Sequence, residues 1–539
     1  MSNVSQVCPQ LTSLLPTTSQ QSTAEREQVL LSKQAMSSPP QKRKKTAKSE
    51  DDGVKIALFI FRRDLRLIDN TSLIQAIKDG YRILPVFVFP PEQIDPEKNE
   101  WFSHPSVQFM CESLNDLGRQ LKEEVDGKLH LFMGGNLETI KKIKEVVNFS
   151  AIAYNEDYSV YARERDGEIE EWAESNNVEI IKEEDYGLLP IKDAWHHPKD
   201  GPPKPYRVLS IFFKHIQKFY DIRKPESNFE FEASQFTQSK FSFKFSISKL
   251  NTLYNANEKL AERGGRLVGL IGLEKIKNKK DYNETRNFMH LKAGTTKMSA
   301  HLKFGTVSIR EMYWRTAELF GETHDLIRQL VFRDFYLKIY SHNPELQRGT
   351  ALQAGVDERI PWSDDEKLWT AWCEGMTGFP LVDAAQRQLK EIGWQHNRMR
   401  MLTGCVLTKY FMIDWRKGMK FFYQNLVDAD VFNNTAGWGW VSSTGPDAVP
   451  YFRPPFNPWI QSKKFDLEGK YIKQYIPELA DVSPADLHKW GDASIRAKYK
   501  KNKKVQAYPA PVVKHDEASK NAVYLYKKAF EEMKAAQNA

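Results

Sequence analysis

The sequence predicts two architectures in one chain: an α/β domain built on a parallel sheet at residues 54–185, and an all-helical domain at 256–485. Three observations carry this. Short apolar runs alternate with helical periods through the first region, three- and four-residue apolar steps dominate the second, and a Pro-, Lys- and Phe-rich connector at 186–255 separates them. The length of 539 residues is too great for one ordinary core and agrees with more than one domain.

Residues 1–52 are rich in Ser, Thr, Gln, Pro and Lys without a sustained period, the composition of a disordered tail. Within it Lys42, Arg43, Lys44 and Lys45 form a basic run that reads equally as a nuclear-import or nucleic-acid patch or as a solvated stretch. The first strand is "KIALFIF", followed by helical "TSLIQAIKDG", the strand "RILPVFVF", the helix "SVQFMCESLNDLGRQLKEE" and the strand "KLHLFMGG". Helical "NLETIKKIKEVV", the strand "FSAIAYN", the helix "SVYARERDGEIEEWAESN" and the strand "VEIIKEE" complete the set. Five strands separated by helices require right-handed crossovers and hence a Rossmann-like parallel sheet. In the second region Val382, Ala385, Leu389 and Ile392 mark one helix face. Residues 486–539 form a C-terminal extension, whose basic stretch "RAKYKKNKK" and final Lys/Glu helix read as solvated.

Several chemistries are absent from the pattern. The turn after the first strand, "RRDLRLIDN", is neither GxGxxG nor GKS/T, so the usual dinucleotide and NTP loops are excluded there. Cys8, Cys111, Cys373 and Cys405 are scattered without metal spacing, which predicts no metal site and a reducing compartment, nucleus or cytoplasm. No apolar run approaches a membrane span and no secretory h-region opens the chain, so a soluble protein is expected. The net charge of +8, spread over 78 basic and 70 acidic residues, is compatible with a polyanionic partner but does not demand one.

What stands out is a concentration of Trp, Asn, Arg and Asp between residues 282 and 461, in a chain with 13 tryptophans. A large, planar, phosphate-bearing cofactor would require that mixture: flat apolar walls, amides for ring heteroatoms and bases for phosphates. "GTTKMS" at 294–299 offers hydroxyls, Lys297 and free amides ahead of a helix, a geometry suited to an anion, although an ordinary capped helix uses the same residues. Arg333 and Asp334 sit in an otherwise apolar helix, where an internal salt bridge is the ordinary outcome. A buried Asp428 needs a cation, for which Arg400 is the candidate.

The strings "FRRDLRLIDN", "GTTKMSAHLKFGTVS", "TGFPLVDAAQRQLKEIGWQHNRMRM", "DWRKG" and "DADVFNNTAGWGWVSSTGPDAVPYFR" together resemble the DNA photolyase/cryptochrome family, specifically its class I cyclobutane pyrimidine dimer photolyases, over residues 54–485. The resemblance implies an α/β antenna domain joined to an all-α C-terminal FAD-binding domain. It further implies a second, antenna chromophore (folate, deazaflavin or flavin), UV-damaged DNA as partner, no membrane, and a monomer.

By that resemblance Tyr282 and the run Thr295, Thr296, Lys297, Met298 and Ser299 hold the flavin phosphates, with Lys297 where the family usually has Arg. Gln329, Arg333, Trp394, Asn397, Arg400, Asp428, Ala429 and Asp430 match the rest of the flavin pocket, and Asn434 matches the residue facing flavin N5. Trp438, Trp415 and Trp362 match the tryptophan row that passes electrons to the flavin. Arg286, Gln329, Phe332, Asn397, Arg398, Trp440, Arg453 and Gln461 match positions that grip DNA and receive the flipped lesion.

The implied activity is light-driven splitting of cyclobutane dimers by an electron from reduced FAD. The alternatives are a (6-4) photolyase and a cryptochrome-like blue-light photoreceptor. Gln329 and Phe332 depart from the Glu and Trp usual in dimer photolyases, and Gln is typical of (6-4) enzymes. The string "HNRMRM" lacks the His-His pair those enzymes carry, and Asn434 favours repair over signalling.

Overall fold

The structure, a computed structural model, describes residues 55–446 and 456–538; the tail with Lys42, Arg43, Lys44 and Lys45, and Arg453, lie outside the described residues. Strand β1 (Ile56–Ile60), helix α1 (Thr71–Lys78), β2 (Arg82–Phe89), α2 (His104–Val125), β3 (His130–Met133), α3 (Asn136–Val146), β4 (Ala151–Asn155), α4 (Val160–Ser175) and β5 (Glu179–Glu183) follow the predicted alternation. The strands pair in parallel in the order β3-β2-β1-β4-β5. Both faces of the sheet are covered, as a parallel sheet requires. Phe59, Ile83 and Phe87 pack with Phe109, Leu114 and Leu117 of α2, while Leu58, Leu84 and Ile152 pack with Ile140 of α3 and Ile169 of α4. The edge strand β5 keeps Glu179, Lys182 and Glu183 exposed, which blunts its free hydrogen-bonding edge.

The connector is more ordered than its composition suggests. Its Leu209, Phe212 and Ile216 bury one face of α5 (Leu209–Phe219), and Phe236 and Phe241 are buried beside the sheet, where the Thr237 and Phe245 amides donate to Ile83 and Leu131 carbonyls. Prolines and lysines obscured that short helical stripe.

The remaining elements that position the site are helical: α6 (Ser299–Phe304), α7 (Ile309–Phe320), α8 (Asp325–His342), α9 (Glu366–Glu374), α10 (Pro380–Ile392), α11 (Asn397–Cys405), α12 (Trp415–Asn425), α13 (Val431–Val441), α14 (Pro458–Phe465) and α15 (His515–Asn538). The C-terminal extension corrects a sequence expectation. The basic stretch 496–504 is mostly exposed, as expected, but around it Trp490, Val505 and Tyr508 are buried in the helical core, and α15 packs Tyr526, Ala529 and Phe530 against Val356, Ile360 and Met412. Sparse apolar residues among many lysines hid that face, which is nonetheless periodic.

The turn "RRDLRLIDN" docks the sheet onto the helices. Arg66 donates to the Gly305 carbonyl at 3.1 Å and to Asp185 at 2.6 Å. Gly305 ends α6 at φ 65°, and an added Cβ would lie 2.1 Å from the Arg63 carbonyl oxygen. Gly305→Ala therefore combines a left-handed backbone with a clash against main chain, and a loss of about 3 kcal/mol is expected in chemical denaturation. A loss below about 1 kcal/mol would show that the turn moves freely.

Candidate active site

Helix α6 starts at Ser299, two residues after Lys297, whose φ of 54° turns the chain and whose ammonium lies 5.3 Å from the Trp394 ring centroid. The Ser299 hydroxyl donates to Asp428 at 2.6 Å. Arg400 donates through Nη2 to both Asp428 oxygens at 2.9 Å and through Nε to the Gln395 carbonyl at 2.8 Å. The three positions Ser299, Arg400 and Asp428 thus meet in one hydrogen-bonded cluster, although they come from three separate segments. Nearby, burial pushes Glu262 up to about 7, with Lys297 and Lys275 opposing.

Asp430 is used differently. It caps α13 by accepting from the Asn433 amide at 2.9 Å, accepts from the Tyr186 hydroxyl at 2.6 Å and pairs with Arg63. Asn433, whose side chain also donates to Asp430 at 2.8 Å, belongs to this cap. Burial opposes ionisation of Asp430, but Arg63 and then Arg333 hold its carboxyl well below the usual range. The Tyr186 ring lies between two guanidiniums, 4.0 Å from Arg63 and 3.8 Å from Arg333. Arg333 donates to the Tyr186 carbonyl, and Asp334 accepts from the Leu188 amide at 2.8 Å. The two neighbours in α8 therefore brace the segment after β5, where an internal salt bridge was the ordinary expectation. Arg63 and Tyr186 were not candidates from sequence; the only signal was a second arginine in "FRRD".

Asn434 donates Nδ2–H to the Met419 carbonyl at 3.0 Å, which fixes its flip and leaves Oδ1 as an acceptor. Trp438, four residues on, is buried between α12 and α11: a Cβ on Gly418 would lie 2.2 Å from its ring. Trp415 is buried, its indole donating to Asp357 at 3.0 Å. Trp362 is half-buried against Tyr526 of α15, at 6.4 Å between centroids. Ala429 is buried beside Asp430, and Tyr282 and Met298 are buried with α8 residues in one apolar cluster. The Thr296 hydroxyl accepts from the Met298 amide at 3.4 Å, while Thr295 is half-buried.

The DNA candidates fall into two groups. Arg398 donates to Asn287 at 2.7 Å and to Gln461 at 3.2 Å, stacks 3.9 Å over Phe465, and is close enough to Arg286 for the two cations to interact. Gln329, half-buried, donates to the Asp325 carbonyl at 3.4 Å, and Phe332 packs on Tyr336 at 4.9 Å. Trp440 packs on Phe456 at 6.5 Å. Asn397 is exposed at the first position of α11 and does not join the Arg400–Asp428 cluster. His396 precedes it, buried, with burial first among the causes that lower its imidazole to about 4.

A cavity of about 620 Å³ opens at the carboxyl ends of β1 and β2, beside the point where the strand order reverses, and is lined by Arg63, Trp101, Lys303, Tyr423 and Asp430 among others. Burial pushes Lys303 down to about 7, with Arg63 adding to the effect and Asp430 and Asp428 opposing it.

A switch-point cavity over a parallel sheet, joined to helices that gather buried ion pairs and closely packed indoles, defines a two-domain cofactor-binding protein. Residues 57–230 match the family model of DNA photolyase, and residues 326–528 match that of the FAD binding domain of DNA photolyase. The chain belongs to the DNA photolyase family. It is 31% identical over 502 residues to the deoxyribodipyrimidine photo-lyase of Synechococcus sp., covering 89% of this chain and 97% of that one. The archaeal photolyase of Sulfolobus tokodaii, solved with two FAD molecules, superposes with a TM-score of 0.76 at 33% identity, covering 88% of this chain and 99% of that one. A class III photolyase from Agrobacterium tumefaciens superposes with a TM-score of 0.78 at 27% identity, covering 90% and 99%.

Proposed function

We propose that the protein is a light-driven cyclobutane pyrimidine dimer photolyase of the class I type, acting on UV-damaged DNA as a monomer. The carrying observation is the Ser299–Asp428–Arg400 cluster set beside Asn434 and Trp438. It joins a preformed polar anchor to an amide acceptor and an oxidisable indole, which is what this chain needs to hold FAD next to a lesion.

Bound FAD, reduced and excited by light, supplies the electron that opens the dimer and recovers it afterwards. The residues do the rest. Arg400 and Ser299 hold Asp428 in orientation, Lys297 would bring a cation to the phosphate side, and Oδ1 of Asn434 would accept a hydrogen bond from the ring edge without titrating. Phe332 and Trp440 supply aromatic walls for extruded bases, and Arg286 and Arg398 supply charge for the backbone.

His396 bears on lesion choice. A histidine pushed down to about 4 is neutral at physiological pH, and Asn397 follows it where (6-4) enzymes carry a second histidine. Gln329 favours the (6-4) reading. Illumination of the chemically reduced protein with oligonucleotides bearing each lesion separates the two: restoration of the cyclobutane dimer alone is expected, and restoration of only the (6-4) product, or of neither, overturns the assignment.

The 620 Å³ cavity suits an antenna chromophore of folate, deazaflavin or flavin chemistry, with Arg63 and Lys303 facing its acidic part. The absorbance spectrum of the purified protein distinguishes the three.

A further inference from the structure

We propose that His515, the first residue of α15, is a positioning residue for damaged DNA: its two ring nitrogens tie together the helix that carries Gln461 and the aromatic wall at Trp440, and protonation releases both. This rests on the photolyase reading above, in which Trp440 receives the lesion and Gln461 grips the DNA.

Nothing in the string "VVKHDEASK" marks His515, and packing gives it partners from two distant segments. Its Nε2 lies 2.8 Å from Asn457 Nδ2, and its Nδ1 lies 2.9 Å from the hydroxyl of Tyr410, on the π-helical turn Val406–Tyr410 that follows α11. The imidazole also stacks on the Tyr410 ring at 5.6 Å and 29°.

The neighbours fix the direction of each hydrogen bond. Asn457 caps α14, and its Oδ1 accepts from the Trp459 and Ile460 amides at 2.9 and 3.2 Å. Nδ2 is therefore the atom turned to His515, and an amide NH2 only donates. Nε2 accepts, which places the imidazole proton on Nδ1. That N–H donates to the Tyr410 oxygen, and the Tyr410 hydroxyl donates onward to the Phe456 carbonyl at 3.4 Å. One neutral ring thus holds two consecutive residues, Phe456 and Asn457, from two sides.

Both residues lead to the lesion face. Phe456 packs on Trp440 at 6.5 Å, and Asn457 starts the helix whose Gln461, one turn on, accepts from Arg398 at 3.2 Å. A second proton on His515 would turn Nε2 into a donor facing a donor. Among the described residues, the acceptor then left beside it is the exposed Asp516 carboxylate at 3.8 Å, on α15 itself. Burial lowers the imidazole from its ordinary value, with Asp516 opposing. The ties therefore hold at neutral pH and are lost as the pH falls through the folded value.

Titration of the reduced, FAD-loaded protein with a duplex bearing one cyclobutane dimer tests this. His515→Phe keeps the stack on Tyr410 and loses both hydrogen bonds; it is expected to weaken binding about tenfold near pH 7.5, while repair of bound dimer per absorbed photon stays within about twofold. A glutamine offers one donor and one acceptor and takes up no proton, so His515→Gln restores affinity to within about threefold of the unsubstituted protein. Between about pH 7.5 and about pH 5 the unsubstituted protein then loses about threefold or more in affinity relative to His515→Gln. The pH comparison holds whether or not His515→Phe keeps its fold. Unweakened binding by His515→Phe, a His515→Gln as weak as His515→Phe, or an affinity ratio to His515→Gln that stays constant with pH overturns the positioning role. Failure of the unsubstituted protein to prefer the dimer-bearing duplex over an undamaged one sinks the underlying photolyase reading instead.

Discussion

Asp185→Ala is expected to destabilise the folded protein by about 3–5 kcal/mol, because it removes the carboxylate shared by two buried guanidiniums. Asp185 accepts from Arg66 and Arg310 at 2.6 Å each and from the Thr71 hydroxyl at 2.7 Å, and Arg310 also pairs with buried Asp69 at 2.9 Å. All four charged groups are buried, and they join the turn after β1 to α7. Burial disfavours the Asp185 carboxylate, yet Arg66 and Arg310 more than offset this and hold it well below the ordinary carboxylate range. The sign follows: the unfolded chain takes up the proton first, near its ordinary value of about 4, so the contribution is fully present above that pH and is lost as the pH falls toward the folded value. Urea midpoints at neutral pH and at about pH 3 check both parts. Asp185→Asn loses the same charge with little change of shape, so its deficit should shrink on acidification. A deficit under about 1 kcal/mol at neutral pH, or one that grows in acid, contradicts this account.

Trp438→Phe is expected to slow light-driven reduction of bound flavin by about a hundredfold or more, the effect of roughly 3 kcal/mol or more on the barrier. Indole is the most readily oxidised neutral side chain, and a phenyl ring in its place offers no accessible hole state. The surroundings tolerate the change. The ring packs on Phe422 at 5.0 Å and against Gly418, so phenylalanine leaves a small void in an otherwise aromatic site. Bleaching of the oxidised flavin band under blue light, with a thiol present, measures the rate. An unchanged rate would remove Trp438 from the relay.

Much of this was legible in order along the chain. Five strand runs and their helices carry their periods locally, and the strings at 61–70, 294–308, 377–401 and 428–453 identify the family because each is long and local in the chain. The Arg400–Asp428 pair could be anticipated because each charge sits in an apolar setting and few partners were on offer. The connector helix α5 and the buried face of α15 were harder, since lysines and prolines outnumber the few apolar residues that carry the stripe.

Sequence by itself therefore determined the fold class, the order of the elements and the family. Only the tertiary structure decided how the buried charges are shared: Asp430 takes Arg63 from 367 residues away, Asp185 joins Arg66 to Arg310, and Arg333 and Asp334 turn to the backbone after β5. It likewise decided that Trp372 lies against Trp438. The physical reason is range. Apolar periodicity is a property of a few consecutive residues, whereas a buried charge or an indole acquires its role from whichever partner the packed chain brings within a few ångströms.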